Sequence, residues 1–82
     1  MKAIINPFLR LVEIKLNDSS AHLHFEDLDE WQGFTLDEKI YDCHFNYESD
    51  SEAINYVSVY AIDENGEPDW QWNLVDEVTI KY

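Results

Sequence analysis

The sequence is poor in base. Five lysines and arginines stand against eighteen aspartates and glutamates, a formal net charge of -13. The five are scattered at Lys2, Arg10, Lys15, Lys39 and Lys81. No basic stripe can form to displace counterions from a phosphate backbone, which argues against direct nucleic-acid binding. Anionic membrane surfaces are disfavoured by the same repulsion.

Cysteine is nearly absent too. Cys43 is alone, so no intramolecular disulfide can form. That fits a reducing compartment and makes the cytoplasm the expected location. Two glycines and two prolines are too few for a low-complexity or disordered chain. No apolar run approaches the roughly 20 residues of a membrane span. The start, MKAIINPFLRL, is interrupted by Pro7 and Arg10 and followed by Glu13. It has no small-residue cleavage pattern and is not read as a signal peptide. There is no Gly-rich phosphate loop and no serine in a nucleophile-elbow context. An enzyme is not expected, and no cofactor is implied.

What is present is a core. An 82-residue chain reads as one domain spanning 1–82, and such a chain buries about 60–65% of its unfolded surface. Its apolar content of 45% and aromatic content of 15% supply that core without a metal or a disulfide. Val12-Glu13-Ile14-Lys15-Leu16 alternates with period two, as a half-buried strand does. Asn17 to Ser20 reads as a turn, and Ala21 to Phe25 alternates again, so the two segments pair as a hairpin. Asn6-Pro7 offers a competing helix start, with Phe8, Leu11, Val12 and Leu16 on one face. Thr35-Leu36-Asp37-Glu38 fits a capping box. Tyr41, Cys43, Phe45 and Tyr47 nonetheless share a strand face, opposite Asp42, His44 and Asn46.

Ile54 to Ile62 is the clearest strand pattern. Asn65-Gly66 predicts a type I′ hairpin, returning through a strand that carries Trp70, Trp72 and Leu74 on one face, with Pro68 at its start or on an edge. On that reading Trp72 is the more buried tryptophan and Trp70 is partly accessible. Val78, Ile80 and Tyr82 continue after an irregularity at Leu74-Val75. The fold expected is mainly β: a single antiparallel meander sheet of about five strands, with room for one short helix. The alternative is α+β with an N-terminal or central helix.

Three constellations invite a chemical reading. His22 and His24 point the same way from a strand, and His44 and Glu26 could complete a metal site. They read more simply as the solvent face of that strand, and no metal site is assigned. Cys43 needs a nearby base to act as a nucleophile. His44 faces the other way on the same strand, so Cys43 reads as core. Asp63 to Asp69 looks like a calcium loop, but counting from Asp63, glycine falls fourth and Leu74 twelfth, where the loop wants glycine sixth and glutamate twelfth.

The acids cluster at 26–30, 48–52 and 63–69, each in a connection between strands. Trp31 ends the first cluster and Trp70 the third. Acids that steer and aromatics that anchor make a protein-binding surface. The candidate partner-binding residues are Glu26, Asp27, Asp29, Glu30, Trp31, Asp63, Glu64, Glu67, Asp69 and Trp70. The function expected is a module that masks a basic protein surface on a toxin or nucleic-acid enzyme. An immunity protein, a nuclease inhibitor and a DNA-mimic inhibitor share that physics. One alternative is a homo-oligomeric accessory protein, with a second copy as partner. The other is a small metal-binding protein using His22, His24 and His44.

Overall fold

Seven strands form among the described residues, and the first five of them alternate between core and outward-facing positions. A computed structural model describes residues 1–26, 30–46 and 54–82. The strands are β1 (Lys2–Asn6), β2 (Leu11–Leu16), β3 (Ser19–His24), β4 (Trp31–Leu36), β5 (Lys39–Asn46), β6 (Tyr56–Ala61) and β7 (Glu77–Ile80). No helix occurs among the described residues. The fold is mainly β, but it has two sheets where a single meander was expected. One has the order β3-β2-β1-β7, the other β4-β5-β6.

The reason for two sheets lies in the apolar face. Among the described residues fourteen hydrophobic side chains are buried, and they come from both sheets and the segments between. Ala3, Ile5, Val12, Ile14 and Leu23 line one inner face; Phe34, Leu36, Tyr41, Cys43, Phe45, Val57 and Val59 line the other. A single sheet would leave such a face against water, whereas a second sheet covers it. Phe25, just beyond β3, sets its ring 5.4 Å from that of Phe45 on β5 and joins the layers.

The hairpin of β2 and β3 forms as expected, with Leu16 paired to Ser19 across a turn at Asn17-Asp18. The capping box does not form. Thr35 and Leu36 belong to β4, and Asp37 and Glu38 make a two-residue turn with φ of 50° and 66°. Both values are positive, as a type I′ turn requires. The Asn6-Pro7 helix is likewise absent. Asn6 ends β1, and its side chain accepts from the Leu9 amide at 2.9 Å in the connection to β2. β1 itself pairs with β2 antiparallel and with β7 parallel, Ile5 opposite Val12 and Ile80. The last strand therefore returns to the first sheet rather than extending the β6 hairpin.

The segment after β6 departs most from expectation. Its turn is not type I′: Gly66 takes φ of 81° while Asn65 does not share that region. Gly66 donates to the Asp63 carbonyl at 3.1 Å, and the Asp63 amide donates to Glu67 at 2.8 Å. This is a three-residue loop ending on a left-handed glycine. Pro68 makes one bridge to Ile62, the edge placement its missing N–H favours. No returning strand follows. The chain runs along the free edge of β6, with Asp69 donating to the Ala61 carbonyl at 2.9 Å and Leu74 to the Val59 carbonyl at 2.8 Å. Asn73 completes the cover: its Oδ1 accepts from the Val59 amide at 3.2 Å and its Nδ2 donates to Ser58 Oγ at 3.0 Å. An edge strand covered in this way offers fewer open ladder groups to other chains. It also explains why Val57, Ser58 and Val59 are all buried, where simple alternation would expose Ser58.

Candidate functional site

β5 places Asp42, His44 and Asn46 on the outer face of the three-stranded sheet, because Tyr41, Cys43 and Phe45 take the core. Register sets Trp31 of β4 opposite His44, Gly33 opposite Asp42, and Tyr60 of β6 opposite Asp42 on the other side. Trp31 lies flat over His44, with ring centroids 4.3 Å apart and planes 12° from parallel. Its ring also approaches Tyr60, at 6.2 Å. Trp70 arrives from the segment crossing the β6 edge. It meets Trp31 edge-on at 5.4 Å and 88°, and Tyr60 at 5.2 Å.

Three large rings thus form one cluster over the middle strand, with Tyr60 half-buried and both indoles exposed. Trp31 keeps 42% and Trp70 61% of its surface in water. Core packing explains neither value, since an indole belonging to the core would be covered. Offset and edge-on pairs of this kind hold rings in fixed mutual orientation, worth about 0.5–1.5 kcal/mol each beyond area. The cluster is therefore held in place before anything binds.

The expected sharing of a face by Trp70 and Trp72 does not occur. Residues 70 and 71 form a turn, with the Asp69 carbonyl accepting from the Trp72 amide at 3.3 Å and Asp69 Oδ1 from the Gln71 amide at 3.2 Å. The strand period is broken there, and Trp72 is 64% exposed rather than the more buried of the two.

The acidic candidates divide by what their carboxylates do. Asp63 Oδ1 accepts from the amides of Asn65 and Glu67, each at 2.9 Å, so it builds the turn. Asp69 caps the next turn. Glu30 Oε2 accepts from the Glu26 amide at 3.0 Å, and the Arg10 guanidinium donates to the Glu26 carbonyl. Glu64 and Glu67 are exposed at the loop and free to act at a distance. Asp27, Asp29 and the 48–52 cluster, with Tyr47, lie outside the described residues. Of the sequence candidates, Trp31 and Trp70 are brought into contact. Tyr60, Asp42, His44 and Gly33 complete their surroundings and were not among the partner-binding candidates, His44 being a candidate only as a metal ligand. Strand alternation already turns Asp42 and His44 outward, but only the register shows that Trp31 and Tyr60 flank them.

The histidine trio does not assemble. His22 and His24 are exposed on β3 in the other sheet, whereas His44 lies under Trp31. His22 Nε2 sits 2.6 Å from Glu13 Oε2. Partial burial works to raise the Glu13 carboxyl, but the His22 bond and the Lys15 charge outweigh it, and Glu13 titrates below its ordinary value. No group of three or more metal-ligating side chains occurs among the described residues. Cys43 is fully buried, and desolvation, reinforced by the neighbouring Asp42 charge, pushes its thiol far up. A thiol held protonated in this way is a poor nucleophile. No helix among the described residues is long and apolar enough to cross a membrane. No family model, curated protein or solved structure matches this chain.

Proposed function

We propose that the protein is an acidic binding module that masks a basic surface on another protein. The exposed Trp31–Tyr60–Trp70 cluster carries the reading. Aromatic side chains of this size are enriched among the few residues that dominate protein interfaces. Here they belong to a chain with a net charge of -13, whose field draws basic partners together faster and rejects acidic ones. Immunity to a nuclease toxin, inhibition of a nucleic-acid enzyme and imitation of DNA are biological forms of this physics.

The test is capture from cell extract on immobilised protein, at low and at high salt. A basic protein retained at low salt and released as salt rises is expected. Failure to enrich any basic protein at low salt contradicts the reading.

A self-associating accessory module is the second reading. β7 supports it: among the described residues it pairs with β1 alone, and Val78 is 36% exposed. A free strand edge is a template for a second chain. A solution mass of two chains at micromolar concentration would favour this reading, and a monomer would remove it.

A further inference from the structure

The aromatic cluster does not stand on a flat face. Gly33 interrupts β4 between Trp31 and Thr35, opposite Asp42. Nothing in its backbone requires glycine, since its φ is not in the left-handed region, and a Cβ built there meets only the Tyr41 carbonyl oxygen, at an ordinary 3.7 Å. The missing side chain leaves the sheet open beside Asp42. A glycine inside a strand often marks such a close approach. Asp42 is half-buried and makes no ion pair among the described residues. On the register Asp42 thus stands between a position with no side chain on β4 and Tyr60 on β6, and that gap on the outer face, beside the aromatic cluster, makes a notch.

The bases lie elsewhere. Lys2 and Lys15 pair with Glu77 and Glu13 on the outer face of the other sheet. Arg10 holds the Glu26 carbonyl, Lys81 lies beside Ile4 and Glu13, and Lys39 shares the Tyr41 side of β5. Asp42 therefore has no internal cation to compete with an incoming one.

We infer that this notch receives an arginine side chain from the basic partner, its guanidinium stacked on the aromatic cluster and bonded to Asp42. The inference rests on the proposed function and names the group recognised. Charge complementarity selects a cation. Arginine suits the site better than lysine because its planar guanidinium stacks on ring faces while its N–H fork meets a carboxylate, whereas an ammonium is a compact, strongly hydrated charge. Edge-on packing of Trp70 against Trp31 also breaks the coplanar platform on which successive rings of a sugar chain would lie.

The experiment uses the full chain and a capped peptide of three arginines spaced by glycines, followed through the indole N–H signals of Trp31 and Trp70 by NMR. Lysine and citrulline versions serve as controls. Expected are saturable shifts of both indoles with the arginine peptide, weaker binding of the lysine peptide and none of the citrulline one. Asp42→Asn and Gly33→Val should each weaken binding about tenfold. Gly33→Val fills the notch at a position with room for it, so its unfolding midpoint should not fall, which separates lost binding from lost folding. Equal affinity of both variants, with shifts at Glu64 and Glu67 instead, would overturn the notch and leave diffuse acidic attraction. An unresponsive arginine peptide, while extract capture still yields a basic protein, overturns the inference alone. Indole shifts on adding cellohexaose, or on concentrating the protein to a dimer, would assign the face to a sugar or to a second copy and overturn it as well.

Discussion

At the scale of the residue, exposure decides what each aromatic does. Phe45 is fully buried, and truncating it leaves a cavity between the sheets. Phe45→Ala should cost about 3–5 kcal/mol in a denaturant titration. Trp72→Ala should change stability by less than about 1 kcal/mol, because its indole is mostly in water, whereas Trp70→Ala should cost about 1–3 kcal/mol, the worth of its two ring pairs. Only Trp70→Ala should weaken partner binding, by about 2 kcal/mol if Trp70 is a hot spot. A second residue-scale prediction concerns Asp76. The N-terminal ammonium donates to its Oδ1 at 2.8 Å, and that bond and charge hold the carboxyl below the ordinary aspartate range. The folded value is depressed, so the bond's contribution to stability is complete above the unfolded aspartate pKa. It is lost as pH falls through the lower folded value. Carboxyl NMR titration should show Asp76 titrating low, and acetylating the N-terminus should return it towards the ordinary range. An unchanged midpoint after acetylation would show the bond to be unimportant in solution.

At the scale of the element, the segment after β6 holds the site together. It carries Trp70 to the cluster and is fastened to β6 by Asn73, which bonds the Val59 amide, Ser58 and the Val75 amide at 3.2, 3.0 and 3.1 Å. Asn73→Ala should lower stability by about 1–3 kcal/mol, the cost of stranding partly buried polar groups. It should also broaden the Trp70 signals, since the segment loses its anchor. Sharp, unshifted Trp70 resonances would mean that the backbone bonds suffice. This segment is also where sequence reading fell short. Alternation correctly identified β2, β3 and β5 and the inward turn of Cys43, because period-two burial is a local property, and the Val, Ile and Tyr content marked β6. It read Trp70, Gln71 and Trp72 as a strand, since nothing local reveals that the Asp69 side chain and carbonyl close a turn there. Ile4-Ile5 hid β1, because adjacent apolar residues break the alternation. Partner strands were not legible either. The parallel union of β1 with β7 joins segments more than seventy residues apart, and no local pattern encodes it. Of the candidate site, Trp31 and Trp70 were visible as aromatics bordering acids. Asp42 and Gly33 acquire meaning only from the register of β4 against β5.

At the scale of the whole molecule, charge dominates. Eighteen acids outnumber five bases, so the excess carboxylates repel one another in the compact state, and salt screens charges farther apart than about 8–10 Å at physiological ionic strength. The denaturant midpoint should therefore rise with sodium chloride. A flat or falling midpoint would mean that the few ion pairs, such as Lys2 with Glu77 and Lys15 with Glu13, compensate the acids locally. The same field should keep duplex DNA, single strands and RNA from binding near physiological salt. Saturable binding of any of them would contradict the electrostatic account and the proposed function together.

Paired capture from extract tests the central claim most directly, using the wild type, Trp70→Ala and Phe8→Ala at low and high salt. Phe8 is 83% exposed on the turn joining β1 to β2, so it controls for general aromatic stickiness. The account predicts a basic protein held by the wild type and by Phe8→Ala, lost from Trp70→Ala, and released by salt in every case. Retention by Trp70→Ala equal to that of the wild type, or enrichment of no basic protein, would contradict it.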